Sequence, residues 1–261
     1  RDSSIGAGDT LPARYLPFAF LKHHTLFLDP VHDVASIGRG DDTFWMLRRP
    51  DGRYFSLYPV VTPVIVTPLY VPAALYLEAR GWTPPRLERA GRVMEKLSAS
   101  LIAALSAGLL YLALRRRTTT QVALLLTVAY AFGTTTWVVT SQALWQHGLS
   151  QLMVAATLLL VTGAPSGGRA LAVGLCLGIL AGNRPPDAVV AGALGLYALT
   201  WCRARQWPGL LAAPVAPVAL VAIYNLYVAG TIGGGYGLMG RAEFLQHDFA
   251  GGLAGLLVSP T

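Results

Sequence analysis

Charge is what this chain has least of. Only 13% of its 261 residues are charged, against roughly 25% in soluble domains, while 54% are hydrophobic and the mean hydropathy is +0.50. Such a composition excludes an ordinary soluble domain and places the chain in a bilayer. Cysteine is almost absent: Cys176 and Cys202 both lie inside apolar runs, which argues against a disulfide framework or a zinc site and for simple packing. Acids are outnumbered, 13 to 20, giving a net charge of +7. The basic residues are scattered over loops without interleaved aromatics, so they read as membrane-orienting charge and contacts to membrane lipids, and nucleic acid is not an expected partner. The chain also lacks GxxxxGKS, HExxH and GxSxG, which removes support for phosphate-loop nucleotide binding, zinc proteolysis and hydrolase-elbow chemistry.

What is present begins with an acid. In GAGDTLPARYLPFAFL, residues 6–21, Asp9 heads an apolar run in which Arg14, Phe18 and Leu21 recur three or four apart. The spacing predicts a short amphipathic helix with a carboxylate at its positive end. Two readings are open for Asp9, an ordinary N-cap and a functional acid. Further on, Pro50-Asp51-Gly52 between FWMLRR and RYFSLY predicts a hairpin. The run Tyr58 to Leu77 is apolar enough for a span, but prolines at 59, 63, 68 and 72 interrupt it, so it reads as an interfacial or re-entrant helix pair. Pro84 to Ser98, with Arg86, Arg89, Arg92 and Lys96, reads as an amphipathic surface helix.

From residue 97 the apolar runs are plainer. Leu97–Leu114, two helices between Thr118 and Gly168 turning near His147, Ala170–Asn183, Ala188–Cys202 and Pro208–Gly230 give an all-α polytopic bundle of six transmembrane helices over 97–230. An extracytoplasmic segment with short juxtamembrane helices, 1–96, precedes it, and 231–261 reads as an outward loop and the start of a further helix. Because the chain opens on Arg1 and its last apolar stretch is cut short, it is expected to be part of a longer protein. Arg115–Arg117, Arg169, Arg203 and Arg205 fall on one side if the spans alternate, which makes that side cytoplasmic and turns Asp9, His147, the 183–187 turn and the 233–241 loop outward.

The turn Asn183-Arg184-Pro185-Pro186-Asp187 joins two helices of about 20 Å, short of a hydrocarbon core of about 30 Å, so it should sink below the surface. At that depth an ionised group costs about 2.5 to 3.5 kcal/mol, so Arg184 and Asp187 need each other, water or an anionic ligand. A mutual ion pair and a phosphate clamp are both consistent with the spacing. His147, beside Trp145, reads either as a polar contact in an aromatic belt or as a substrate contact. Tyr236 in GGGYG and Arg241 after it are candidates to close over a ligand.

On the segments GDTLPARYLPFAFL, RYFSLYPVVTPVIVTPLY, QALWQHG and GNRPPD, the chain resembles the membrane-embedded GT-C glycosyltransferases, the class that includes protein O-mannosyltransferases and the lipid A aminoarabinose transferase. The resemblance implies transfer of a sugar from a polyprenyl-phosphate donor to an acceptor at the outer face of a bacterial inner membrane. It makes Asp9 the general base, with Arg184, and Arg14 or Arg241, steadying the leaving phosphate; His147, Asp187 and Tyr236 complete the substrate contacts. Whether a divalent metal assists stays open. His147 stands where relatives often place a second acid, and only eight residues precede Asp9, where the family has a first span. The alternatives are a non-catalytic membrane subunit packing in a larger complex through its 28 glycines, and, with no internal repeat behind it, a transporter.

Overall fold

The computed structural model describes residues 8–35 and 44–238, and the single positions 251 and 258. Of the described residues, 77% are helical. A 3-10 turn, Gly8–Thr10, leads into α1 (Leu11–His23), and Asp29–Val31 leads into α2 (His32–Ala35). The expected hairpin follows as β1 (Met46–Arg48) and β2 (Tyr54–Ser56), antiparallel with Leu47 opposite Phe55. The long helices are α3 (Val61–Arg80), α4 (Pro84–Arg115), α5 (Thr120–Gly133), α6 (Gln146–Val161), α7 (Gly167–Asn183) and α8 (Asp187–Trp201). A π-helical turn, Thr136–Thr140, lies between α5 and α6; the last elements are α9 (Trp207–Ala212), α10 (Val215–Ala229) and α11 (Gly234–Leu238).

Among the described residues, three runs are long and apolar enough to cross a membrane: Val61–Arg80, Pro84–Arg115 and Ala204–Ala229. Exposed faces of α5 and α10 are apolar, with Leu124, Leu125, Phe132, Leu220 and Ile223 all turned outward, the reverse of a water-soluble surface and fit for membrane association. By contrast, α5 to α8 have 14 to 17 residues each.

Several sequence expectations are corrected. The run 58–77 is not a broken pair but one continuous helix, because Pro59 precedes α3 and Pro63 sits in its first turn, where a backbone N–H has no intrahelical acceptor anyway. Only Pro68 and Pro72 remove ladder bonds. Nor does a surface helix end at 98: α4 runs unbroken for 32 residues, about 48 Å, so the boundary at 96/97 falls inside it and its charged first half extends beyond its apolar second half. The expected 208–230 span, by contrast, falls within the membrane-length run Ala204–Ala229, which a turn at 213–214 divides locally into α9 and α10. The GGGYG stretch is helical rather than a loop. Finally, α1 is not amphipathic, since every residue from Leu11 to Ala19 is buried.

That burial explains the core. Leu11, Tyr15, Leu16 and Phe18 of α1 pack with Tyr70 and Leu77 of α3 and Leu87 and Met94 of α4; the Phe18 and Tyr70 rings meet edge to face at 5.0 Å. A second cluster joins α6, α7, α8 and α9 around Val173, Leu177 and Leu180. Placing α1 in the first cluster fixes Asp9, one residue before its cap, beside the start of α3 and the start of α6.

Candidate functional site

Four of the residues singled out from sequence converge. Asp9, His147, Arg184 and Tyr236, drawn from four distant stretches, line one cavity of about 110 Å³ with Tyr58, Trp145 and Gln146. Asp9 is not the cap of α1, a place Thr10 takes. Its Oδ1 instead accepts a hydrogen bond of 2.8 Å from the Tyr58 hydroxyl, which leaves Oδ2 for another partner. Burial first, then the hydrogen bond to Asp9 and the negative charge of Asp9, push the Tyr58 phenol far above the usual tyrosine range, so it stays protonated and donates.

Local sequence sets Tyr58. Ser56 Oγ accepts from the Tyr58 N–H at 2.9 Å and donates to its carbonyl at 2.8 Å, turning the chain out of β2. The Tyr236 ring meets Tyr58 edge on at 5.8 Å. Tyr236 can come that close because Gly235 lies against the backbone of Leu57, where a Cβ would stand 2.4 Å from the carbonyl oxygen. Burial, with a smaller contribution from Asp9 and against the pull of Arg184, also raises the Tyr236 phenol.

The opposite wall comes from the head of α6 and the 183–187 turn. Helix α6 begins at Gln146 without a side-chain cap, and the buried Trp145 Nε1 and Gln146 Nε2 have no hydrogen-bond partner. An N–H buried without an acceptor costs about 1 to 3 kcal/mol, and two such groups belong to residues that line this cavity. Arg184 gives one N–H to Asp187 Oδ1 at 3.3 Å, realising the expected ion pair, but its side chain keeps 35% exposure against 13% for Asp187. The guanidinium therefore retains donors for the cavity. Asp187 is held from behind by the Ser150 hydroxyl.

Sequence reasoning missed the residue that ties this wall together. Asn183, fully buried, donates to the Gln146 carbonyl at 2.8 Å and to Ser150 Oγ at 3.1 Å, and accepts from Thr62 Oγ1 at 2.7 Å. It thereby joins α3, α6 and α7 directly below Gln146 and Arg184. Its position at the sunken turn was a usable signal; its partner Thr62, 121 residues away, had none. Tyr58 was hidden among prolines, while Trp145 and Gln146 stood next to His147 in QALWQHG.

His147 belongs to two cavities. Its ring lies 6.3 Å from that of Trp145 on the polar side, and it also lines an apolar groove of about 620 Å³ walled by Leu110, Val139, Val154, Leu158 and Val190, with Asp187 at its polar end.

One candidate does not join the site. Arg14 is buried 81 residues along the chain from its partner Glu95, with its Nε and Nη2 each 2.6 Å from Glu95 Oε2 and its Nη1 3.5 Å from Glu88. Helical spacing alone placed it on a face with Phe18, but the neutralising carboxylates come from α4, so its donors are spent on the fold. Arg241 lies outside the described residues. Among the described residues, no group of three or more His, Cys, Asp and Glu side chains is placed to hold a metal ion. Comparisons of the chain with protein-family models, with curated proteins and with solved structures give no match.

Proposed function

We propose that the protein is a membrane glycosyltransferase that moves a sugar from a polyprenyl-phosphate donor to an acceptor hydroxyl. The observation that carries this reading is the cavity itself, which sets a carboxylate, Asp9, on one wall against two unpartnered N–H groups and a half-free guanidinium on the other. A base and an anion cradle across a space of about 110 Å³ is what glycosyl transfer from a phosphate leaving group requires. The apolar groove meeting it at His147 suits the prenyl chain, and the short helices α5 to α8 fit a bundle in which the site sits near the outer surface.

In this mechanism the acceptor hydroxyl gives its proton to Asp9 Oδ2 as its oxygen bonds to the anomeric carbon. The bond from that carbon to the phosphate oxygen breaks, and its electron pair leaves on the phosphate. Arg184, Trp145 Nε1 and Gln146 Nε2 take up that charge. Tyr58 holds the Asp9 carboxylate in place, and Tyr236 holds Tyr58.

The test supplies the full-length protein with a radiolabelled polyprenyl-phosphate sugar and follows transfer. Wild type should turn over the donor and Asp9→Asn should not; equal transfer by both would sink the assignment of Asp9.

A further inference from the structure

At the end of the molecule remote from Asp9 lies a cluster of arginines with no counter-charge among the described residues. Between Glu95 and Glu243 the sequence contains a single acid, Asp187, and that residue opens α8 beside Arg184. The other end of α8 is followed by Arg203 and Arg205, α4 ends in Arg115 to Arg117, and Arg169 stands in the first turn of α7. Among the described residues none of these six arginines is within ion-pair distance of a carboxylate.

Two of them converge. Arg116 donates from Nη1 to the Leu159 carbonyl at 2.6 Å, and Arg169 donates from Nη1 to the Ala164 carbonyl at 2.6 Å, so both cap the chain as it leaves α6. Both also crowd Gly163: a Cβ there would stand 2.7 Å from Arg169 Nη1 and 3.3 Å from Arg116 Nη1. The carbonyl of Gly163 accepts from the Trp201 indole at 2.9 Å, which brings the end of α8 to the same turn. A carbonyl in the last turn of α6 and one in the loop after it account for one nitrogen of each arginine and leave the rest of two forked donor sets side by side. Like charges brought this close call for an anion between them.

We propose that the Arg116, Arg169 and Gly163 turn binds the phosphate headgroup of an anionic phospholipid. A lipid rather than a soluble anion fits the place. Two runs of membrane-spanning length, Pro84–Arg115 and Ala204–Ala229, have one terminus at this end, and an indole stands beside the guanidinium pair as aromatic side chains do at bilayer interfaces. This site stands independently of the transferase reading.

The experiment is native mass spectrometry of the full-length protein in detergent with phosphatidylglycerol and phosphatidylcholine at equal concentration. Wild type should retain phosphatidylglycerol in preference. Retention should fall roughly tenfold in Arg116→Gln/Arg169→Gln, the loss expected when charge-assisted hydrogen bonds to one phosphate are removed. Gly163→Val, which keeps both charges but displaces both guanidinium groups, should lose retention as well. Arg203→Gln/Arg205→Gln, an equal change of net charge at the same end, should retain lipid like wild type, and an excess of inorganic phosphate should not displace it. Undiminished retention in Arg116→Gln/Arg169→Gln overturns the site. Equal loss in Arg203→Gln/Arg205→Gln shows only diffuse attraction, and displacement by inorganic phosphate shows a soluble-anion site; either also overturns the proposal. Melting temperatures within a degree or two of wild type, a stability change well under about 1 kcal/mol, qualify a variant for the comparison.

Discussion

Two arginines, Arg14 and Arg184, each face carboxylates near the same acid, and they differ in how many of their nitrogens are taken. All three guanidinium nitrogens of Arg14 meet Glu95 or Glu88 in a buried pocket between α1 and α4. Only one nitrogen of Arg184 meets Asp187, and its neighbours Trp145 and Gln146 keep unpartnered N–H groups. A satisfied cluster holds the fold and has nothing left to offer a ligand. An unsatisfied one is held by its surroundings, here Asn183 and Ser150, and offers its donors to the cavity. The distinction turns hydrogen-bond accounting into a functional argument.

The comparison can be broken most decisively at Asp9. Asp9→Asn keeps the shape and the bond to Tyr58 but removes the base, and should cut transfer by about 10²- to 10⁴-fold while leaving the melting temperature unchanged. At Arg14 the expectation is reversed. Arg14→Ala strands the buried Glu95 carboxylate and should cost about 3 to 5 kcal/mol in chemical denaturation, whereas replacing Arg14 and Glu95 together by Met and Leu should restore most of it. If donor affinity at full folding fell in the double variant, Arg14 would belong to the site after all.

Asn183→Leu probes the support rather than the donors. It leaves the buried Thr62 hydroxyl without its acceptor and takes one donor each from Ser150 Oγ and the Gln146 carbonyl, and should lose about 2 kcal/mol of stability together with donor affinity, because Gln146 and Arg184 shift with it. Smallest in effect is Trp145→Phe. Deleting a buried N–H that bonds to nothing removes its desolvation cost, which offsets the smaller ring, so stability should not fall, yet donor binding should weaken by roughly fivefold, the worth of about 1 kcal/mol, in a fluorescence or calorimetric titration. A loss of stability with unchanged binding would remove Trp145 from the anion cradle.

Much of the site was legible because a polar residue in an apolar chain is conspicuous. Asp9, His147, Arg184 and Tyr236 stood out against their neighbours, and the structure brings them to one cavity. Arg14 stood out equally and was misplaced, since periodicity says which residues share a face of α1 but not what covers that face. Buried on every side from Leu11 to Ala19, that part of α1 has no solvent face to assign. The prolines of α3 misled for a related reason. Counting four of them overstates the damage when two fall where the helix has no bond to lose.

The sequence by itself determined most of the elements: a predominantly helical chain with membrane-length apolar runs, a hairpin at Pro50-Asp51-Gly52, helix ends marked by the arginine triplet at 115–117 and by the NRPPD turn, and a short list of polar residues that had to find partners. These follow from local rules, the cost of charge in hydrocarbon and the period of a helix. Which partners they found was decided only in three dimensions. Glu95 reaches Arg14 across 81 residues and Thr62 reaches Asn183 across 121, and no local pattern encodes contacts over such separations. Tertiary packing of α1 against α3 and α4 closed one charge cluster and left the other open, because a buried hydrogen-bonding group is neutral or costly according to what the rest of the fold sets beside it.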